Sequence, residues 1–232
     1  MLNLARTIIY IDGYNLYYSR LKGTAYKWLD LGVLFRDQIL RPQDPGASVV
    51  CIKYFTSPVK ASYARHGVAS VHAQSQYHRA FKSIHGDLLQ IVHGFHIFEA
   101  THMPSHVEGR LPNKQKLSSV WMIEEKQTDV NLALQVYRDA VRGQCDQQVI
   151  CSNDSDLEPA LQLIREDVPD MRIGLVVPLH RKRFSGQAVS NKRLTQKVDW
   201  VRHHILDAEL EISQLPHLIS TNKKPVHKPE HW

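Results

Sequence analysis

The chain has 232 residues, of which 43% are hydrophobic and 22% charged, and it carries a formal net charge of +6. These values exclude a disordered or collagen-like chain, and the length is sufficient for a sizeable core. No apolar run approaches the roughly 18 residues that a membrane span needs, and the N-terminus has no signal-peptide pattern, so we expect a cytoplasmic protein with no membrane partner.

The apolar pattern predicts strands that alternate with helices along the chain. The predicted strands cover residues 7–12, 48–56, 89–98, 148–151, 171–177 and 198–201, and the predicted helices cover 14–22, 31–40, 68–85, 129–142, 156–166 and 186–195. Residues 100–119 contain Pro104, Gly109 and Pro112 and few apolar side chains, which favours a loop or an ordered excursion outside the core.

Buried strands separated by helices pair in parallel, because each crossover helix must cover one face of the sheet. We therefore predict an α/β fold: a single doubly wound, mainly parallel sheet with helices on both faces, over residues 1–204. Residues 205–232 are predicted to form a C-terminal extension that packs on this domain or trails from it.

The positive charge is concentrated in residues 178–204. This stretch holds a single acid, Asp199, against seven bases: Arg181, Lys182, Arg183, Lys192, Arg193, Lys197 and Arg202. Such a patch favours a polyanionic partner, most simply nucleic acid, and a solvated surface gives the same count. The three cysteines, Cys51, Cys145 and Cys151, are odd in number and indicate buried thiols of a reducing compartment.

Four aspartates fall where predicted strands end or a helix begins. Asp12 ends the first strand, Asp154 and Asp156 follow the fourth, and Asp129 begins the helix between. Any one of them could simply cap a helix or order a turn. Together they would meet at one edge of the sheet, where clustered carboxylates repel unless a cation neutralises them. Oxygen ligands of this kind suit Mg²⁺ or Mn²⁺.

Three motifs resemble the bacterial NYN-domain proteins, the LabA-like branch of the PIN-like nuclease superfamily. They are Ile11-Asp12-Gly13-Tyr14-Asn15, Glu125-Lys126-Gln127-Thr128-Asp129-Val130-Asn131-Leu132-Ala133 and Ser152-Asn153-Asp154-Ser155-Asp156-Leu157. The resemblance covers about residues 7–204 and part of the tail.

The resemblance implies a PIN-like fold and a metal-dependent ribonuclease. On this interpretation Mg²⁺ or Mn²⁺ is bound by the catalytic residues Asp12, Asp129, Asp154 and Asp156. The supporting residues are Asn15 and Ser152, which would line and steady the site, and Lys126 and Asn131, which would contact a phosphate or hold a carboxylate.

The hypothesis from the sequence is therefore hydrolysis of RNA phosphodiester bonds, with DNA a less favoured substrate. The RNA backbone would be held by Arg181, Lys182, Arg183, Lys192 and Arg193. Tyr14, Tyr17 or Tyr54 could stack on a base.

The alternative to a ribonuclease is a non-catalytic RNA-binding or regulatory module of the same fold. A haloacid-dehalogenase-type phosphatase is disfavoured, because Tyr14 stands where that chemistry expects a second Asp. A homodimer is left open, with residues 99–121 as a dimer contact or a substrate-facing loop.

Overall fold

The computed structural model describes residues 4–180, 190–221 and 224–232. In chain order the strands are β1 (Ala5–Asp12), β2 (Ala47–Thr56), β3 (Leu89–His93), β4 (Phe95–Pro104), β5 (Leu117–Lys126), β6 (Gln147–Cys151), β7 (Arg172–Val176), β8 (Trp200–Arg202), β9 (Leu218–Ile219) and β10 (Val226–His227). The helices are α1 (Gly13–Leu16), α2 (Arg41–Gln43), α3 (Val68–His85), α4 (Thr128–Val141), α5 (Glu158–Asp167), α6 (Lys192–Thr195) and α7 (Asp207–Ile212). A π-helical segment, Tyr17–Leu21, continues α1, and a second, Val33–Leu40, leads into α2.

A six-stranded parallel sheet with the order β3-β2-β1-β6-β7-β8 forms the centre of the fold. Alternate residues of β1 point to opposite faces of this sheet. Ile9 and Ile11 pack with the first helical segments, whereas Ile8 and Tyr10 pack with α4 and α5. Helices therefore flank the sheet, and the predicted α/β class is confirmed.

The predicted third strand, residues 89–98, is in fact two strands that separate at Gly94. β3 pairs with β2 in the main sheet, whereas β4 leaves the sheet and pairs antiparallel with β5, from Phe95↔Lys126 to Pro104↔Leu117. We call this hairpin, residues 95–126, the β-arm. Of the two alternatives predicted for residues 100–119, the structure shows an ordered excursion outside the core at both ends, where residues 100–104 and 117–119 belong to exposed strands. The strands themselves were not predicted, because an exposed two-stranded ribbon needs no run of buried apolar residues.

The C-terminal residues pack against α3 and against the connection between the two π-helical segments, which contains Trp28. The Trp28 indole Nε1–H donates to the carbonyl of Pro216 at 2.9 Å, and the rings of Trp28 and Trp232 lie 6.1 Å apart. Leu215, Ile219 and Val226 complete this small core.

The predictions made for residues 181–189 lie outside the described residues, namely the RNA contacts Arg181, Lys182 and Arg183 and the first four residues of the helix over 186–195. The end of that predicted helix is described and is α6 (Lys192–Thr195). In the described part of the chain, no helix combines the length and the apolar character needed to cross a membrane.

Candidate functional site

The order of the strands reverses between β1 and β6. The chain continues from β1 to β2 and β3 on one side, and from β6 to β7 and β8 on the other. The helix after β1 packs on one face and α5, after β6, on the opposite face. At such a switch point a crevice opens above the carboxyl ends of the strands, and ligands bind there in open α/β sheets.

Asp12 ends β1 at this crevice and is buried. Its Oδ1 accepts the Asn15 backbone N–H at 2.9 Å, and its Oδ2 accepts the Ser152 hydroxyl at 3.0 Å. Burial raises the pKa of Asp12, and these two hydrogen bonds oppose that shift. Both carboxylate oxygens are therefore used to tie the start of α1 to the end of β6.

The loop after β6 is held by the same residues. Ser152 Oγ also accepts the Asp154 N–H at 3.1 Å, and Asp154 Oδ1 accepts the Asp156 N–H at 3.0 Å. The Asn15 side chain accepts the Asn153 N–H at 3.2 Å. Asp154 thus begins the turn before α5, and Asp156 is exposed to solvent.

Asp129 lies half-buried in the first turn of α4, facing the other carboxylates of the crevice. Burial raises its pKa to about 6, with further contributions from the negative charges of Asp12, Asp154, Glu125 and Asp156. The preceding Gln127 has a left-handed backbone, with a φ of 74°. A non-glycine residue in this region is strained and is frequent at functional sites. The four predicted aspartates are therefore near one another, and Asp129 is the one whose proton is held unusually tightly at a half-exposed position.

Several of the other predicted site residues have partners within the protein. Lys126 forms an ion pair with Glu124 on β5, and Arg193 Nη1 lies 3.6 Å from Glu158. The Asn131 backbone N–H donates to the Gln127 carbonyl within α4. The predicted roles of Lys126, Asn131, Lys192 and Arg193 stay predictions.

A row of aromatic rings borders the crevice, and the sequence identified only one of them, Tyr14, as a stacking residue near it. The Tyr14 hydroxyl donates to the Ser57 carbonyl at 3.3 Å and lies 3.2 Å from His96 Nε2. Successive ring centroids are 4.6 to 6.0 Å apart along the row that we call the aromatic wall: Tyr18, Tyr14, His96, Tyr63, Phe98 and Trp121. These rings come from four separate segments, so no spacing in the sequence signals them.

The base of the β-arm is locked to the crevice through Glu125. Its Oε1 accepts the Ser57 hydroxyl at 2.6 Å and also the Thr128 hydroxyl. Gly94 permits this close approach, because a Cβ there would overlap Glu125 Oε1, the Lys126 carbonyl and Thr128 Oγ1. The arm and the first turn of α4, which carries Asp129, therefore form one connected structure.

No family model matches the chain. It is 41% identical over 247 aligned residues to the 6-hydroxy-3-succinoylpyridine 3-monooxygenase HspA of Pseudomonas putida (strain DSM 28022 / S16), an alignment that covers 98% of this chain and 75% of the relative. A solved structure of a protein of unknown function from Vibrio parahaemolyticus RIMD 2210633 is 14% identical, with a TM-score of 0.49, and covers 88% of this chain and 94% of that one.

The relative overturns four predictions: membership of the NYN-domain proteins, ribonuclease activity, the hydrolase class and the Mg²⁺ or Mn²⁺ cofactor. A monooxygenase oxidises its substrate and does not hydrolyse a phosphodiester bond. The non-catalytic RNA-binding alternative gains no support from this relative either. RNA as a partner stays a prediction, without the reaction that motivated it.

The geometry of the aspartates gives a physical reason why the predicted Mg²⁺ or Mn²⁺ site was wrong. Among the residues that the structure describes, no three His, Cys, Asp or Glu side chains are grouped so that they could share a metal ion. Both oxygens of Asp12 are bonded inward, and one oxygen of Asp154 caps the following turn. The same residue types serve as caps and ties at the carboxyl end of the sheet.

Proposed function

The chain belongs to the family of the 6-hydroxy-3-succinoylpyridine 3-monooxygenase HspA, and we propose that it is itself a monooxygenase acting on a small hydroxylated pyridine. The identity to this relative over almost the whole chain is the observation that carries the proposal. A half-buried acid beside a wall of aromatic rings is the feature of the structure that supports it.

The relative's name describes a pyridine with a hydroxyl on C6 and an acyl chain on C3, the carbon that is oxygenated. These two carbons lie opposite each other on the ring. Removing the proton from the C6 hydroxyl therefore pushes electron density onto C3 and activates it toward oxygen. Because C3 carries the acyl chain and no hydrogen, the C3–acyl bond breaks as the C3–O bond forms, and the acyl group leaves as a carboxylic acid after taking up water. A site for such a substrate needs a base for the hydroxyl and a surface for the ring.

Asp129 is the base in this proposal. Its pKa of about 6 leaves it mostly ionised near neutral pH, yet makes it a stronger base than an ordinary carboxylate. The neighbouring carboxylates disfavour the ionised form of Asp129, so Asp129 retains a proton that it takes from the substrate.

The aromatic wall is the surface for the ring. Tyr18 is 55% exposed and stacks on Tyr14 with an interplanar angle of 14°. A planar heteroaromatic ring gains most by offset stacking on such a face. The Tyr14 hydroxyl is fixed by Ser57 and His96, so this face is preorganised.

A monooxygenase places one oxygen atom of O₂ in its substrate and reduces the other to water, and a redox cofactor supplies the two electrons. The turn after β1 does not fit the diphosphate of a dinucleotide such as FAD or NADH. The Asp12 carboxylate already accepts the N–H of Asn15 at the start of α1, the place where a diphosphate binds in dinucleotide folds. A Cβ on Gly13 would lie 2.6 Å from the Phe55 carbonyl, so this glycine serves the packing on β2.

The test supplies the purified chain with 6-hydroxy-3-succinoylpyridine, isotope-labelled O₂ and reduced nicotinamide or flavin, and follows label in the product by mass spectrometry. We expect one labelled oxygen per molecule of the pyridine product.

Asp129→Asn should lower kcat about 100-fold and remove the rise of kcat/KM as the pH passes about 6. Asp170→Asn, an exposed aspartate on the α5–β7 loop, is the matched control. A product without label under every electron donor would refute the proposal.

We also propose a fold type, a location and an oligomeric state for the chain. The fold is PIN-like, a proposal that the strand order and the acidic residues at the switch point support. The protein is cytoplasmic, in keeping with three free, buried cysteines. It forms a homodimer, for which the exposed apolar side chains of the β-arm, among them Phe98 and Trp121, provide a surface.

A further inference from the structure

A groove of about 540 Å³ runs between α3 and β3, away from the aspartates. On one side it is lined by Leu89 and Ile91, alternate residues on one face of β3. On the other side lies one face of α3, including Val71 and His78. The volume is in the range of small-molecule sites, and the floor is apolar. We call this feature the α3 groove.

The charge of the α3 groove is positive. Arg79 and Lys82 line it, and none of the described lining residues is acidic. Arg79 Nη2 donates to the Lys224 carbonyl at 2.7 Å, and neither base forms an ion pair with an acid in the described part of the chain. Two cations without an acidic partner beside an apolar floor favour a ligand that has an anionic group and a hydrocarbon body.

His78 adds a neutral polar group to the groove. Burial lowers its pKa to about 4, and the neighbouring His93 contributes to the shift, so the ring is uncharged near neutral pH. The hydrogen bonds among the described residues leave both ring nitrogens of His78 unused, although the ring contacts Tyr54, Tyr77 and His93. A half-buried imidazole in this state can donate to a carboxylate or a ketone oxygen.

The α3 groove and the aromatic wall are separated by one short segment, Ser57-Pro58. The Gln74 amide, which lines the groove, donates to the Ser57 carbonyl at 2.9 Å, and Tyr14 donates to the same oxygen from the other side. Pro58 lines the groove, and its carbonyl lies 3.2 Å from His96 Nδ1. Ser57 is fully buried and Pro58 is exposed, so a ligand with its ring on one side and a flexible acidic chain on the other would pass over Pro58.

We propose that the α3 groove binds the acidic chain of the substrate, a carboxylate on a short keto-acid arm, while the ring lies against the aromatic wall. Arg79 and Lys82 hold the carboxylate, and the apolar floor covers the methylene groups. The position of the ring rests on the proposed function, whereas the carboxylate site rests on the groove alone.

The experiment measures dissociation constants by calorimetry for three probes. 6-Hydroxy-3-succinoylpyridine has both ring and chain, 3-benzoylpropanoate has the same chain on a plain phenyl ring, and 2-hydroxypyridine has the ring without the chain. In Arg79→Gln/Lys82→Gln we expect the two chain-bearing probes to bind about tenfold more weakly. The affinity for 2-hydroxypyridine should change less than about twofold. Lys82→Gln alone, which keeps the Arg79–Lys224 contact, should give part of the loss.

The matched control is Arg110→Gln/Lys114→Gln, which removes the same charge from the exposed turn of the β-arm and should leave all three affinities unchanged. Chain-bearing probes that bind the double variant as tightly as the native chain would overturn the inference, as would no binding of 3-benzoylpropanoate to the native chain. Binding of 3-benzoylpropanoate that depends on Arg79 and Lys82, in a chain that does not oxygenate the pyridine, would support the groove and refute only the proposed function.

Discussion

Asp12 illustrates how a single residue satisfies two interpretations at once. Its position at the end of β1 predicts a place at the switch point, and the structure puts it there. Its hydrogen bonds to Asn15 and Ser152 show that it also holds the crevice together. The sequence predicts the meeting of distant segments, because strand ends converge in a parallel sheet. It does not predict where each oxygen points, which decides between a ligand and a tie.

Asp129 also makes a prediction about stability. Its pKa of about 6 in the folded chain is above the ordinary value of 3.8, so the folded state retains a proton that the unfolded state releases. Stability should therefore fall as the pH rises from about 4 to about 6 and stay reduced above that range. We expect Asp129→Asn to raise the free energy of unfolding by about 1 kcal/mol above about pH 7, a value discounted because the group is half exposed to water. Below about pH 4 the gain should vanish, and urea unfolding at both pH values measures it. An equal gain at the two pH values would contradict the shifted pKa.

A buried ion pair that the sequence did not suggest joins β2 to α4. Lys53 Nζ lies 2.6 Å from Asp139 Oδ2, both side chains are more than nine-tenths buried, and Tyr10 donates to the same oxygen at 2.9 Å. Lys53→Met should destabilise the chain by about 3 kcal/mol, because it leaves a buried carboxylate without its cation. Chemical unfolding measures this loss. The exposed pair Arg36–Asp37 provides the control, since Arg36→Gln should change stability by less than about 1 kcal/mol.

At the scale of elements, periodic segments were predicted well and exposed ones poorly. The helix expected over 68–85 is α3 with the same bounds, because Ala73, Tyr77, Ala80 and Phe81 form a buried stripe at helical spacing. The β-arm was missed because the described residues of β4 and β5 are mostly exposed and alternate only weakly between apolar and polar. Its pairing is set by the partner strand and by Gly94, not by burial.

The β-arm yields a prediction at Gly94. Gly94→Ala would place a methyl group against Glu125, the Lys126 carbonyl and Thr128, so either the arm or the start of α4 must shift. We expect a loss of about 2 kcal/mol in the free energy of unfolding. Relative to the native chain, hydrogen exchange should accelerate more in β4 and β5 than in the main sheet. Gly46→Ala, where the nearest atom is Asp44 Oδ1 at 3.6 Å, should be close to neutral. An equal acceleration of hydrogen exchange in both sheets of Gly94→Ala would contradict the local role of this glycine.

At the scale of the whole molecule, the α/β class followed from the alternation of elements, and the reaction did not. Strand order and switch point are consequences of packing that many chemistries share. The aromatic wall and the α3 groove depend on contacts between segments that are far apart in sequence, such as Tyr14 with His96 and Gln74 with Ser57. The acidic motifs therefore located the crevice without identifying what is oxidised or hydrolysed there.

The C-terminal residues contribute to this whole-molecule packing through two tryptophans. Trp28 is fully buried. Trp232 is half-buried, packs edge-on against Trp28 and is tilted by 55° against Tyr77. Trp28→Ala should lower the free energy of unfolding by about 4 kcal/mol, because it opens a cavity and removes the hydrogen bond to Pro216. Trp232→Ala should cost about 1 kcal/mol, since solvent already reaches that ring. Thermal unfolding followed by circular dichroism should therefore place Trp232→Ala between the native chain and Trp28→Ala. If the two variants are equally destabilised, the last residues form an integral part of the core; if Trp232→Ala unfolds like the native chain, their packing contributes no stability.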